Sequence, residues 1–363
     1  METSETRARR ILHAARGVGP DGLRAVVENV GSAHSALESG PRGLTQALEG
    51  RPKPREGVRD VFDRSAWQRR EAQWTALKEA GWQVLCNGLP GYPAALIGIP
   101  EAPPVLYALG ERQEFENTAA VAIVGSRGAS EYGTDQARVF GRCLAEEGVC
   151  VVSGLAKGVD EAAHRGAIAA GGPTIGVLGC GPDGRQATTR LAGAVRASGA
   201  LLSEFPPGTT SSRWTFPRRN RIVSGLALGV LIVQAAPRSG TLITAGWALD
   251  QGREVLILPG RVDHPLSLGG LALMAEGAQP VVSATDLMAR LGLINRSDLP
   301  QADRTIGTGT AAVVADCLAG DPGTLGDVCR RTGLPPETAM DQLVRLELRG
   351  RVIRGPGGLY RIT

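Results

Sequence analysis

Ala119-Ala-Val-Ala-Ile-Val-Gly-Ser-Arg-Gly-Ala-Ser-Glu-Tyr-Gly133 is the stretch on which the fold turns. Its first six residues are apolar without alternation, which reads as a strand buried on both faces, as in parallel sheets. The Gly125-Ser126-Arg127 turn follows, and then a helix beginning near Gly133. A strand that passes through such a turn into a helix aims backbone N–H groups and the helix dipole at an anion. Arg127 at the apex adds a guanidinium able to hold a phosphate through two hydrogen bonds. The spacing is not G-x-G-x-x-G and no Gly-Lys-Ser/Thr follows, so the dinucleotide and P-loop readings are both weak. Standing alone, the loop is equally well a tight turn without a ligand.

Outward from this stretch the pattern repeats. Apolar runs recur at Val149–Ser153, Thr174–Leu178, Ala200–Ser203, Gly229–Val233 and Glu254–Leu258. Helical stretches fall between them at Gly133–Glu147, Val159–Ala170, Ala187–Ala197, Arg219–Leu226 and Thr241–Gln251. Continuous apolar strands alternating with helices predict a mostly parallel sheet covered on both faces. The fold class is therefore α/β, an extended Rossmann-like domain over 119–290. An N-terminal all-α module (1–50) precedes it, with a Gly17-Val18-Gly19 turn of the kind used in helix-hairpin-helix or sterile-alpha-motif bundles. Arg51-Pro52-Lys53-Pro54-Arg55 reads as a stiff basic linker. A Trp-bearing extension, 58–118, leads into the core. A polar linker is expected at 291–308, and 309–363 shows three helices and a glycine-turned hairpin, which describes a winged helix. That last segment carries seven Arg against six Asp/Glu, a poor footprint for duplex DNA, so duplex DNA and a protein remain equal candidates for its partner.

Composition excludes several classes. No apolar run reaches the ~18 residues of a membrane helix, and no secretory h-region follows the charged N-terminus. Six scattered cysteines without a C-x-x-C pair read as reduced thiols in a cytoplasmic protein. Four histidines without metal spacing argue against a metal centre, and no cofactor is expected.

Three further segments join the first turn. Ser153-Gly154-Leu-Ala-Lys157-Gly158-Val-Asp160 is a second strand-to-helix turn, and parallel strands ending together put both turns on one crevice. Lys157 is one of three lysines in a chain with 37 arginines. His164, one helical turn from Asp160, pairs with it or is simply a satisfied histidine at a helix start. Between Glu204 and Asp250 no acidic residue occurs, yet Arg213, Arg218, Arg219, Arg221 and Arg238 do. Within that window Arg213-Trp214-Thr-Phe216-Pro-Arg-Arg219-Asn220-Arg221 interleaves cations with aromatics, the composition of a groove that tracks a single strand while stacking its bases. Phe216 is the expected stacking residue, although either aromatic serves equally as a core plug. Ser239-Gly240-Thr241 adds a further nest of N–H and hydroxyl groups.

Gly125-Ser126-Arg127…Tyr132-Gly133, Ser153–Asp160 with His164, Ser203-Glu204-Phe205-Pro206, Phe216-Pro217-x-Arg219-Asn220-Arg221, Ser239-Gly240-Thr241 and Pro259-Gly260 together resemble the DNA-processing protein A (DprA/Smf) family, in order over roughly residues 85–290. The resemblance implies a single-stranded DNA-binding protein that forms a homodimer, protects the strand and loads RecA recombinase during natural transformation. It implies binding rather than enzymatic chemistry. On this basis Gly125, Ser126, Arg127, Lys157, Arg213, Arg219 and Arg221 are expected to hold DNA and Phe216 to stack a base. Ser153, Gly154, Asn220, Ser239, Gly240 and Thr241 complete the expected set. The chain departs from the family pattern at Pro182–Ala187, where a Tyr-Pro and an Asn are usual, and at Gln234, where a Glu is usual. A similar architecture occurs in nucleotide phosphoribohydrolases, but Thr244 stands where their working glutamate would be, and a hydroxyl is no general base near neutral pH without a positioned partner.

Overall fold

The computed structural model describes residues 2–51, 54–110, 119–294, 310–348 and 351–362. Residues 1–294 make one compact unit and 295–363 another. In the first unit nine strands form a single sheet: β1 (Gln83–Cys86), β2 (Val105–Gly110), β3 (Ala120–Val124), β4 (Cys150–Ser153), β5 (Thr174–Val177), β6 (Gly199–Ser203), β7 (Gly229–Ile232), β8 (Glu254–Ile257) and β9 (Gln279–Pro280). Their order across the sheet is β1-β2-β6-β5-β4-β3-β7-β8-β9. Every pairing from β6 to β9 is parallel, while β1 and β2 add an antiparallel edge.

The apolar runs explain this arrangement. All five residues of β3 are buried. Val121 and Ile123 join one core with Phe140, Leu144 and Val159, whereas Ala122 and Val124 join the opposite one with Ile222, Val223 and Ala245. Two-sided burial is what the absence of polar alternation requires. The covering helices are α7 (Glu131–Glu146), α8 (Val159–Ala169), α9 (Arg190–Ala197), α10 (Thr215–Gly225) and α11 (Gly240–Asp250). The Rossmann-like, mostly parallel architecture thus stands as the sequence predicts. β2 was not anticipated, nor were β9 and the helices α12 (Leu268–Ala275) and α13 (Ala284–Arg290) that flank it.

The N-terminal helices α1 (Ser4–Ala14), α2 (Gly19–Val30), α3 (Ala33–Glu38), α4 (Gly40–Ala47), α5 (Pro54–Phe62) and α6 (Arg64–Glu79) share a core with the antiparallel edge. Leu12, Leu23, Leu44 and Val61 cluster with Trp74, Tyr107 and Leu201. Of the expected basic linker, Pro54 and Arg55 begin α5, and residues 52–53 lie outside the described residues. The linker expected at 291–308 lies, from 295 onward, outside them as well.

In the second unit α14 (Thr310–Gly320), α15 (Leu325–Thr332) and α16 (Pro336–Leu348) precede the antiparallel hairpin β10 (Val352–Arg354) and β11 (Tyr360–Ile362). Val314, Leu318, Val328, Leu343 and Val352 form its core. No helix among the described residues is long and apolar enough to cross a membrane.

Candidate nucleic-acid interface

Strand order reverses at β3, with β4 on one side and β7 on the other. Open α/β sheets bind ligands at such a switch point, beyond the carboxyl ends of the strands. A cleft of about 380 Å³ lies there. Its walls include Gly125, Ser126, Arg127, Gly154, Arg213, Phe216, Arg219, Asn220, Ser239, Gly240 and Thr241. Of the residues singled out in the sequence, Ser153, Lys157 and Arg221 are not in those walls.

The loops are tied to one another as well as to the sheet. Ser126 N–H donates to Gln234 O at 2.8 Å, and Val159 N–H donates to Ser126 O at 3.3 Å. Gly158 has φ +82°, and a Cβ there would overlap the Ser126 carbonyl, so the second loop passes under the first only with glycine at this position. Leu155 and Arg238, also on cleft loops, are two of the three non-glycine residues with positive φ among the described residues. Such conformations are held at a cost by surrounding structure and cluster at functional sites.

The helix start that faces the cleft is that of α11, not α7. Gln234 explains the difference. Its Oε1 accepts from Ser130 N–H at 2.9 Å and its Nε2 donates to Ser130 Oγ at 2.8 Å, while Ser130 Oγ accepts from Gly133 N–H at 3.2 Å. The start of α7 is therefore capped within the protein. At α11, by contrast, the N-cap Ser239 makes no capping bond and its buried hydroxyl has no partner. Uncapped N–H groups and the dipole of this helix open into the cleft.

Arg219 forms the floor. It is 4% exposed, and its Nη1 donates to Gly154 O at 2.6 Å and also to Val177 O. Gly154 O accepts a second bond, from Gln186 Nε2 at 2.8 Å, and Gln186 Oε1 accepts from Gly179 N–H at 2.8 Å. The unusual 182–187 loop thus braces the cleft. Asp160, the one carboxylate in the walls, accepts from Gly154 N–H at 3.1 Å and Ala156 N–H at 3.4 Å. Burial raises its pKa, against the pull of Arg219 and these N–H groups. Burial also lowers the Arg219 pKa to about 10, with Asp160 opposing.

The rim is cationic and aromatic. Arg127 is exposed, with its guanidinium 4.6 Å from the centre of the half-buried Phe216 ring. Arg213 is exposed too, and among the described residues neither arginine has a carboxylate partner. Asn220 bridges by donating to Gly240 O at 3.3 Å.

The other expected residues sit elsewhere. Ser153 is buried and donates its hydroxyl proton to Ile123 O at 2.6 Å. Lys157 is exposed on the second loop, outside the walls. Arg221 is fully buried, paired with the equally buried Glu204, and donates to Glu101 O at 3.0 Å and Arg218 O at 2.9 Å. With all three guanidinium nitrogens engaged inside the fold, it is an internal strut. His164 does not pair with Asp160. The Thr174 hydroxyl donates to Val151 O, so His164 Nδ1 donates to Thr174 Oγ1 at 2.7 Å. Burial and then Arg219 lower its pKa to about 3, which keeps it neutral. Among the described residues no three His, Cys, Asp or Glu side chains gather as metal ligands.

Comparison with known proteins shows which family the chain resembles. Residues 83–292 match the family described as DNA recombination-mediator protein A, and residues 298–358 match a DprA winged helix domain. The chain is 39% identical over 281 residues to Protein Smf of Escherichia coli (strain K12), covering 75% of each chain. Among solved structures it is similar to DNA processing protein A (DprA) from Streptococcus pneumoniae, with a TM-score of 0.65, 28% identity and coverage of 80% of this chain and 98% of that one. It is also similar to DNA processing protein A from Helicobacter pylori, whose structure is described through its single-stranded DNA binding mode. There the TM-score is 0.51 and the identity 27%, over 58% of this chain and 96% of that one.

Proposed function

Since the chain belongs to the DNA recombination-mediator protein A family, we propose that its cleft binds single-stranded DNA without cutting it. The observation that carries this reading is the meeting, across one cleft, of the uncapped start of α11 with the Arg127–Phe216 stack. A helix start with free N–H groups receives a phosphate, the exposed arginines neutralise its neighbours, and an aromatic offers a face to a base. The walls offer no free carboxylate for acid–base chemistry, because Asp160 is bound by two backbone N–H groups and faces Arg219. Thr244, also in the walls, supplies only a hydroxyl.

The DNA-binding set in this reading is Gly125, Ser126, Arg127, Gly154, Arg213, Phe216, Asn220, Ser239, Gly240 and Thr241, with Arg219 as the floor. Lys157 extends the set beyond the cleft, on the strand's path toward solvent. The protein acts as a cytoplasmic homodimer that shields the strand and passes it to RecA recombinase during natural transformation. The single-stranded DNA binding described for the Helicobacter pylori relative supports the first step. Titration of labelled oligo-dT across a salt series tests it: saturable, salt-weakened binding is expected, and the absence of binding at low salt refutes it. Faster RecA nucleation on DNA already carrying the protein tests the second step.

A further inference from the structure

Phe216 is the aromatic expected to stack a base, yet its ring is only partly open. The Arg127 guanidinium lies 4.6 Å over one face, and a Cβ placed on Gly179 would come within 2.7 Å of its edge. Trp214 is differently placed. It is 60% exposed, the most open of the five tryptophans, and touches the buried Phe205 ring at 82° with 5.6 Å between centres. An edge-to-face contact of this kind fixes the indole without covering it. Leaving so much tryptophan surface in water forgoes burial that is otherwise favourable, and it keeps an open, fixed ring face free to stack.

Position gives the direction. Phe216 packs over Gly179, just beyond β5, whereas the partner of Trp214 is Phe205, just beyond β6. Neighbouring strands are about 4.8 Å apart. The indole therefore lies one strand further along the same sheet edge, away from the α11 start. Arg213 stands beside it in sequence, and Arg185 is exposed on the 182–187 loop, which is bound to the segment after β6 through Gly208 N–H donating to Asp183 Oδ1 at 2.8 Å. Cations beside an open ring suit a nucleic-acid strand.

Resting on the strand-binding reading above, we propose that Trp214 is a second stacking platform. A bound strand runs from the α11 start past Phe216 and along the sheet edge to the indole over β6. The cleft holds the first phosphates, and Trp214 sets the length of strand that is gripped. Stacking of this kind is sequence-tolerant, since every base offers a face.

The test uses the full chain, W214A and W214F, with oligo-dT of about four and about sixteen nucleotides, the range of site sizes typical of single-strand grooves. In the wild type the long oligonucleotide is expected to bind more tightly and to quench tryptophan fluorescence. In W214A that quenching disappears, and the advantage of the long over the short oligonucleotide shrinks about five- to tenfold. W214F, which keeps a ring against Phe205, retains most of the advantage. Wild-type quenching and an unchanged long-to-short ratio in W214A would overturn the proposal while leaving the cleft reading intact. If the wild type binds neither oligonucleotide, the cleft reading fails and this proposal with it.

Discussion

Replacing Arg127 with alanine removes two things at once: an unpaired rim cation and the guanidinium lying over Phe216. The two losses have separate signatures. Each phosphate neutralised on a single strand contributes about 0.7 to the slope of log K against log salt. Raising salt fourfold, from about 50 mM to about 200 mM, then weakens the wild type roughly 2.6-fold more than the variant. The lost ring contact, already made in the free protein, costs about 0.5–1 kcal/mol of stability rather than of affinity, the value for a cation over an exposed aromatic. Arg127→Lys separates them, because it keeps the charge and the slope but gives up the planar stacking. Fluorescence anisotropy of labelled oligo-dT over a salt series reads the first quantity, and urea unfolding of the free protein reads the second. A wild-type slope in Arg127→Ala refutes the assignment, since it means no phosphate sits on this arginine.

Other outcomes follow from the same geometry. Arg221→Met leaves Glu204 without its fully buried partner and is expected to destabilise the fold by about 3–5 kcal/mol in urea unfolding. The salt slope of DNA binding should not change in that variant, and a shallower slope would return Arg221 to the interface. Gln234→Glu keeps an acceptor for Ser130 N–H and is expected to bind DNA normally, whereas Gln234→Leu strands that N–H and costs about 1–3 kcal/mol of stability. Burial lowers the pKa of His13 from 6.5 to about 4 and, with Arg219, that of His164 to about 3. The unfolded chain thus takes up protons at these sites before the folded one does. Their contribution is complete above pH 6.5 and is lost as pH falls toward about 4 for His13 and about 3 for His164. Unfolding free energy measured from pH 7 to pH 4.5 should therefore decline, and more gently in His13→Phe. An identical decline in that variant contradicts the assignment.

The parallel core was legible because its strands are buried on both faces, so Ala120–Val124 and its counterparts carry a continuous apolar signal that needs no tertiary information. β2 was missed although Val105–Leu109 is equally buried, because it sits between Pro-rich and charged segments. β9 is only two residues long and carries no periodicity. The cleft loops were legible from glycine and hydroxyl residues at strand ends. Arg221 shows the limit of that reading. An acid-free window from 205 to 249 suggested free cations, yet the residue just outside it, Glu204, folds back onto Arg221. Linear charge patterning says which charges are near in sequence, and the fold decides which are near in space. Gln234 and Gln186 were legible only as departures from a pattern. Their bracing roles depend on loops that meet only after the sheet has formed.

Gly154 O is a single acceptor on which two of the cleft's parts converge: Gln186 from the loop after β5 and Arg219 from α10, while the carbonyl itself belongs to the loop after β4. None of these parts can shift without loosening the others, so the cleft behaves as a jig with little internal freedom. A rigid host leaves the entropy of association to be surrendered almost wholly by the guest. For a guest as pliable as an unpaired strand, that makes each backbone torsion frozen in the cleft part of what limits affinity. A strand already held extended by a neighbouring copy arrives with part of that loss already incurred.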